Sequence, residues 1–215
     1  MEAVGVEAPE MSYRLIGNRV LPFFVVLGMG VLFSVAIVLY AVRVHASAAA
    51  LIESASKIHS TADADREIAK WRMQSGNQFC EESDHPGGDH DYNAQVENLL
   101  ISRLRIVEPT EVTMGITMRG GKLRCVTIVM TTGRKPSTTS SVWIQEWFDV
   151  EGASLIHVNA KGRPWKAIVD LTSTVPDAQR QKTLRLNTRC FVKPGGCRSA
   201  EEILPNVWQL ATAQL

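Results

Sequence analysis

Charge of one sign is what this sequence lacks: 23 basic residues stand against 22 acidic ones among 215, a formal net charge of +1. A near-neutral chain has no global field with which to grip nucleic acid, so no nucleic-acid partner is expected. Catalytic signatures are missing too, with no Walker A loop, no His-Glu-x-x-His helix and no Gly-x-Ser-x-Gly elbow. Asp149, Ser154 and His157 lie near one another in sequence, but in an alternating strand Ser154 and His157 point to opposite faces, which serves proton transfer badly. The expectation is a protein that is not an enzyme, with no catalytic residue and no cofactor. There is no internal repeat. A composition of 45% hydrophobic and 21% charged residues excludes a disordered or collagen-like chain.

Only one long apolar run is present. From Val20 to Val42 no residue is charged, and as a helix the run would extend about 35 Å, enough for a hydrocarbon core of about 30 Å. Pro22 falls in the first turn, where its missing N–H has no intrahelical partner anyway. Val44-His45-Ala46 offers a competing reading as a signal-peptidase site. The apolar core is too long for a secretory signal, however, and Glu2, Glu7 and Glu10 precede it, so an uncleaved anchor over residues 20–44 is expected. That anchor makes the lipid bilayer the first partner, and the small-xxx-small pair Gly30 and Ser34 would allow a homo-oligomer through it.

Arg14 and Arg19 before the run against Arg43 after it give a weak positive-inside bias. The four cysteines say more. Between Cys190 and Cys197 the Pro-Gly-Gly can turn the chain back to disulfide distance, which leaves Cys80 to pair with Cys125. Two disulfides put the body in an oxidising compartment, whereas four reduced thiols would put it in the cytosol. The expected topology is single-pass in the inner (plasma) membrane, with residues 1–19 cytoplasmic and the C-terminal domain extracytoplasmic.

After the membrane, Leu51, Ala55 and Ile58 keep helical spacing, so the anchor helix should run on as a stalk. Ser60-Thr61 ahead of Asp63, Asp65 and Glu67 predicts a second helix over about 62–73, the stalk and this helix together filling 45–75. Residues 76–92 read as an acidic loop broken by Pro86-Gly87-Gly88. In the domain 93–215, Val96, Leu99, Leu100, Leu104 and Val107 predict a third, core-facing helix that ends before Pro109. Then the period falls to two at Val112, Met114, Ile116 and Met118. A Gly120-Gly121 turn would pair Arg119 with Lys122, Met118 with Leu123 and Ile116 with Cys125. Further strands are expected over 142–150, 154–159 and 165–171, then a helix over about 176–187. The fold class is α+β, helices packed on an antiparallel meander of about five strands.

Candidate sites are few. Asp84, His85, Asp89 and His90 carry metal-ligand chemistry but match no metal spacing, so a solvated loop is the favoured reading over a metal site. Arg180, Lys182, Arg185 and Arg189 belong to a stretch with six basic residues against one acid, opposite in sign to the acidic loop, and read either as a solvated surface or as a contact surface for a partner. Trp143 and Trp147 share one face of a strand, either as core or as a docking surface.

In outline only, an anchor followed by an α+β domain resembles periplasmic assembly proteins such as the inner-membrane scaffold subunit of type IV secretion systems, and is similar to minor pilins and pseudopilins. A pilin would need a glutamate early in the apolar run, and none is there. The function expected is a non-catalytic, membrane-anchored extracytoplasmic interaction or scaffold protein of an envelope assembly, with other envelope proteins as partners. The alternatives are a membrane-anchored ligand- or ion-sensing module, or a pilin-like subunit.

Overall fold

The structure, a computed structural model, describes residues 13–76, 80, 90–134, 139–148, 156–159, 166–172 and 174–206. The chain forms two compact units, Met1–Tyr40 and Ala41–Leu215. A single helix, α1 (Tyr13–Ser56), contributes to both. In the first unit its apolar residues, Phe23, Val31 and Leu39 among them, are exposed. Within it, Pro22–Ser56 is the one helical stretch among the described residues long and apolar enough to cross a membrane.

In the second unit α1 changes character. Val44, Ala48, Leu51, Ile52 and Ala55 are buried on one stripe of the helix, with exposed residues on its other side, and Ile58 just past the helix end is buried too. The predicted stalk is therefore a core helix of the domain. It ends at Ser56, a few residues before the break expected near Thr61. Ser60 accepts a hydrogen bond from the Asp63 N–H (3.3 Å), and Asp63 Oδ2 in turn accepts from Ser60 Oγ (2.8 Å) and the His59 N–H (3.2 Å), a reciprocal cap that starts α2 (Thr61–Trp71). Those two donors, Ser60 first, hold the Asp63 carboxyl below its ordinary value.

The sheet is mixed. Among the described residues its six strands of four residues or more are β2 (His90–Glu97), β3 (Thr110–Arg119), β4 (Lys122–Thr132), β5 (Ser140–Trp147), β6 (Ile156–Asn159) and β7 (Lys166–Thr172), with the two-residue β1 (Gln74–Ser75) at one edge. Their order is β1-β2-β3-β4-β5-β7-β6, antiparallel except that β5 and β7 run parallel. This corrects the expected meander, in which the 154–159 strand would sit between its neighbours. The physical reason is burial: Ala167, Val169 and Leu171 of β7 are buried, as an interior strand requires, and the short β6 takes the edge.

The third predicted helix is also corrected. Residues 90–97 form β2, antiparallel to β3, with Tyr92, Ala94 and Val96 opposite Ile116, Met114 and Val112. Only α3 (Leu99–Arg103) is helical, so Val96 belongs to a strand, and Leu99, Leu100 and Leu104 are exposed. The period-two signal of Tyr92, Ala94 and Val96 was masked by the aliphatic run after it. The strand also takes His90, Asp91 and Tyr92 out of the expected acidic loop.

The β3–β4 hairpin turns through Gly120 (φ 56°) and Gly121 (φ 72°), both left-handed, as a two-residue turn of this kind requires. Arg119 pairs with Lys122 and Met118 with Leu123 as expected, but a bulge at Thr117/Met118 moves Ile116 opposite Val126 and Thr117 opposite Cys125. The extra residue lets Leu123 and Val126 share a face, so Ile116, Val126, Ile128, Ile144 and Val169 build one buried layer on that side of the sheet. Finally, α4 (Asp177–Thr183) is shorter than expected. Leu184 and Leu186 are both buried two residues apart, a spacing a helix cannot serve. A 3-10 turn (Thr188–Phe191) and α5 (Ala200–Ile203) follow.

Candidate functional site

Both expected disulfides are present, Cys80–Cys125 with Cα atoms 6.4 Å apart and Cys190–Cys197 at 5.1 Å. The apolar helix suggests a membrane anchor, and the disulfides suggest an oxidising, extracytoplasmic domain. Trp147 is buried against Cys80–Cys125 and lies 5.7 Å under the Arg124 guanidinium, while Trp143, on the same face, is half-buried.

Asp84, His85 and Asp89 lie outside the described residues, as do Asp149 and Ser154 and most of the acidic loop. His90 opens β2 and is exposed, its ring 6.4 Å from Tyr92. Among the described residues no three His, Cys, Asp or Glu side chains gather as a metal would need. Of the basic stretch, Lys182, Arg185 and Arg189 are exposed. Arg180 is not with them: it is buried.

The Arg180 guanidinium enters the core from α4 and meets two partners. Its Nε donates to Glu146 Oε1 of β5 at 2.5 Å. Its Nη2 donates to the carbonyls of Ile58 (2.9 Å) and Ala55 (3.3 Å), and Nη1 donates to that of Ser56. These carbonyls lie at and just beyond the C-terminal end of α1, where a cation is favoured by the negative end of the helix. His59 Nε2 lies 3.4 Å from Nη1. Burial pushes the Glu146 carboxyl above its ordinary value, against the pull of the Arg180 hydrogen bond and charge. One side chain thus fastens the end of α1, the sheet and α4 together. A second contact works beside it: Lys70 Nζ donates to Ser54 Oγ (2.7 Å) and Glu67 Oε2 (2.8 Å), and Trp71 Nε1 donates to Ser54 Oγ (3.0 Å), tying α2 to α1.

Sequence reasoning placed Arg180 among surface cations and assigned Glu146 and His59 no role. The signal available was slight: Glu146 is the one acid within an otherwise apolar or amide strand segment, Val142 to Trp147, where a charge must find a partner.

Next to this clamp runs a groove of about 650 Å³ between α1 and the segment after α4. Its floor is Ala49, Ile52, Leu184 and Leu186, and its rim carries Glu53, Lys57 and Arg185. At the neighbouring position Thr188 Oγ1 meets His45 Nε2 at 3.0 Å, a further tie to α1. The clamp is suited to holding elements in place, since the guanidinium's polar atoms are spent on Glu146 and on carbonyls. The groove is open and amphipathic, of the size of a small-molecule site. No protein-family model, curated protein or solved structure matches this chain.

Proposed function

We propose that the protein is a membrane-anchored, extracytoplasmic interaction or scaffold module without catalysis of its own, single-pass in the inner membrane with a cytoplasmic N-terminus. The observation that carries the reading is the construction of α1. One helix holds both the apolar stretch that suits a bilayer and the buried stripe of a disulfide-stapled domain, and Arg180 locks its end to the sheet. A domain whose buried guanidinium is spent on fastening its own elements together suits holding a surface in place. The lack of any nucleophile, phosphate-loop or metalloprotease motif in the sequence supports the same side.

The test is to extract the full chain from its native membrane in mild detergent and measure its native mass and stoichiometric companions. A large assembly with defined partners is the expected result. A lone monomer or homodimer would sink the scaffold and favour a ligand-sensing module. That second reading has its own observation, the amphipathic groove beside the α1 terminus, and it expects a ligand to raise the melting temperature.

A further inference from the structure

Among the described residues outside α1, the large hydrophobic side chains most open to solvent fall within one short turn: Leu99 (39% exposed), Leu100 (45%), Leu104 (42%) and Ile106 (45%). Arg103 and Arg105 alternate with the last two and are exposed, and residues 99–107 contain no acid.

This turn is held firmly. Ile101 and Val107 are buried beneath it. The helix end is closed by hydrogen bonds from the Ile106 N–H to the Ile101 carbonyl and from the Arg105 N–H to the Ser102 carbonyl, both 3.0 Å, with Arg105 in the left-handed region (φ 59°). Asn98, itself buried, donates through Nδ2 to the carbonyls of Glu108 (2.9 Å) and Phe191 (3.1 Å) and accepts from the Thr110 N–H (2.9 Å). From the far side Arg134 Nη2 donates to the Ser102 carbonyl at 2.8 Å. A turn this well braced does not fold its aliphatic side chains inward, so their presentation costs no ordering when something covers them.

We propose that this turn, with Leu99, Leu104 and Ile106 entering the acyl boundary and Arg103 and Arg105 meeting phosphates, docks on an anionic lipid surface. Charge complementarity selects the partner: alternating arginines and aliphatics demand an apolar layer directly beside a layer of negative charge, which a bilayer interface supplies without shape matching. A protein hot spot draws its energy mainly from tryptophan, tyrosine and arginine; residues 99–107 have no aromatic, and leucine, the commonest residue among them, is under-represented in such spots. The proposal rests on the reading of α1 as an anchor, because a bilayer-tethered chain meets headgroups at high effective concentration, where a patch too weak to recruit a free protein is occupied.

The experiment reconstitutes the full chain in phosphatidylcholine vesicles with and without phosphatidylglycerol. Retention after alkaline wash reports the anchor, and amide hydrogen exchange over residues 99–107 reports the patch. We expect retention in both vesicles, and exchange at 103–106 slowed about tenfold only where the anionic lipid is present. Leu104→Asp with Ile106→Asp should abolish the slowing, and so should Arg103→Gln with Arg105→Asn, the asparagine chosen because it tolerates the left-handed backbone. Unchanged exchange in a retained protein overturns the proposal while leaving the anchor intact; loss on alkaline wash overturns the anchor. Protection seen in native membranes but not in pure lipid would mean a protein partner, and equal protection in both vesicles would remove the arginines' role. Either result contradicts the assignment.

Discussion

The two stretches of α1 belong to one continuous helix and meet opposite surroundings. Between Phe23 and Leu39 large apolar side chains on all sides of the helix are exposed; from Val44 to Ala55 the large apolar side chains fall on one stripe and that stripe is buried. The difference is one of composition and pattern together: apolar all round suits a medium that is apolar all round, whereas a stripe interleaved with Ser47 and Glu53 needs a protein surface on one side and water on the other. The second stretch also ends in a designed stop, with the Arg180 guanidinium on its last carbonyls, and the first has no counterpart among the described residues.

The comparison breaks most sharply at Arg180. Arg180→Met leaves the Glu146 carboxylate and the α1 carbonyls without their buried cation and should cost about 3–5 kcal/mol in chemical unfolding of the full chain in detergent, with membrane retention unchanged. Adding Glu146→Leu should restore most of that loss, because an apolar pair replaces the ion pair. Removing the disulfides separately sharpens the picture of the domain. On loop-closure grounds Cys80→Ser with Cys125→Ser, which opens a sequence separation of 45, should cost about 4 kcal/mol against about 2 for Cys190→Ser with Cys197→Ser, separation 7. Leu51→Ala should lower domain stability by about 2–5 kcal/mol, while Leu32→Ala in the exposed stretch should leave the unfolding midpoint where it was.

The smallest effect is one of pH. Burial raises the Glu146 carboxyl above its ordinary value of 4.5, so the folded state holds that proton more tightly than the unfolded chain does. Its contribution to stability is fully present below the ordinary carboxylate value and declines as pH rises through the raised one. Urea midpoints measured from pH 4.5 upward should show this decline, and Glu146→Gln should flatten it. A wild-type profile in that window that rises no less steeply than that of Glu146→Gln would mean that the ion pair outweighs burial.

Much of this fold was legible in the sequence because the signals were local. An uncharged run, a serine three residues before an acid, a Gly-Gly turn and a Pro-Gly-Gly loop each act over a few residues, and each produced the element expected of it. What failed was non-local or overprinted. The β3–β4 bulge shows only once the two strands are aligned, and β7 takes its place beside β5 because of burial that no single strand reveals. Tyr92, Ala94 and Val96 carried a strand period that the leucines after Asn98 disguised as a helix. The clamp was the least legible: Arg180 meets Glu146 across 34 residues and Ser56 across 124, and in sequence it stood in a row of surface cations.

The most direct test of the account is the redox state of the domain in its native setting. Intact cells are treated with a thiol-alkylating reagent without reductant, and the purified full chain is weighed and mapped by non-reduced peptide digestion. None of the four cysteines should be labelled, and the peptides should link Cys80 to Cys125 and Cys190 to Cys197. Full labelling of all four would place the domain in a reducing compartment and contradict the extracytoplasmic scaffold.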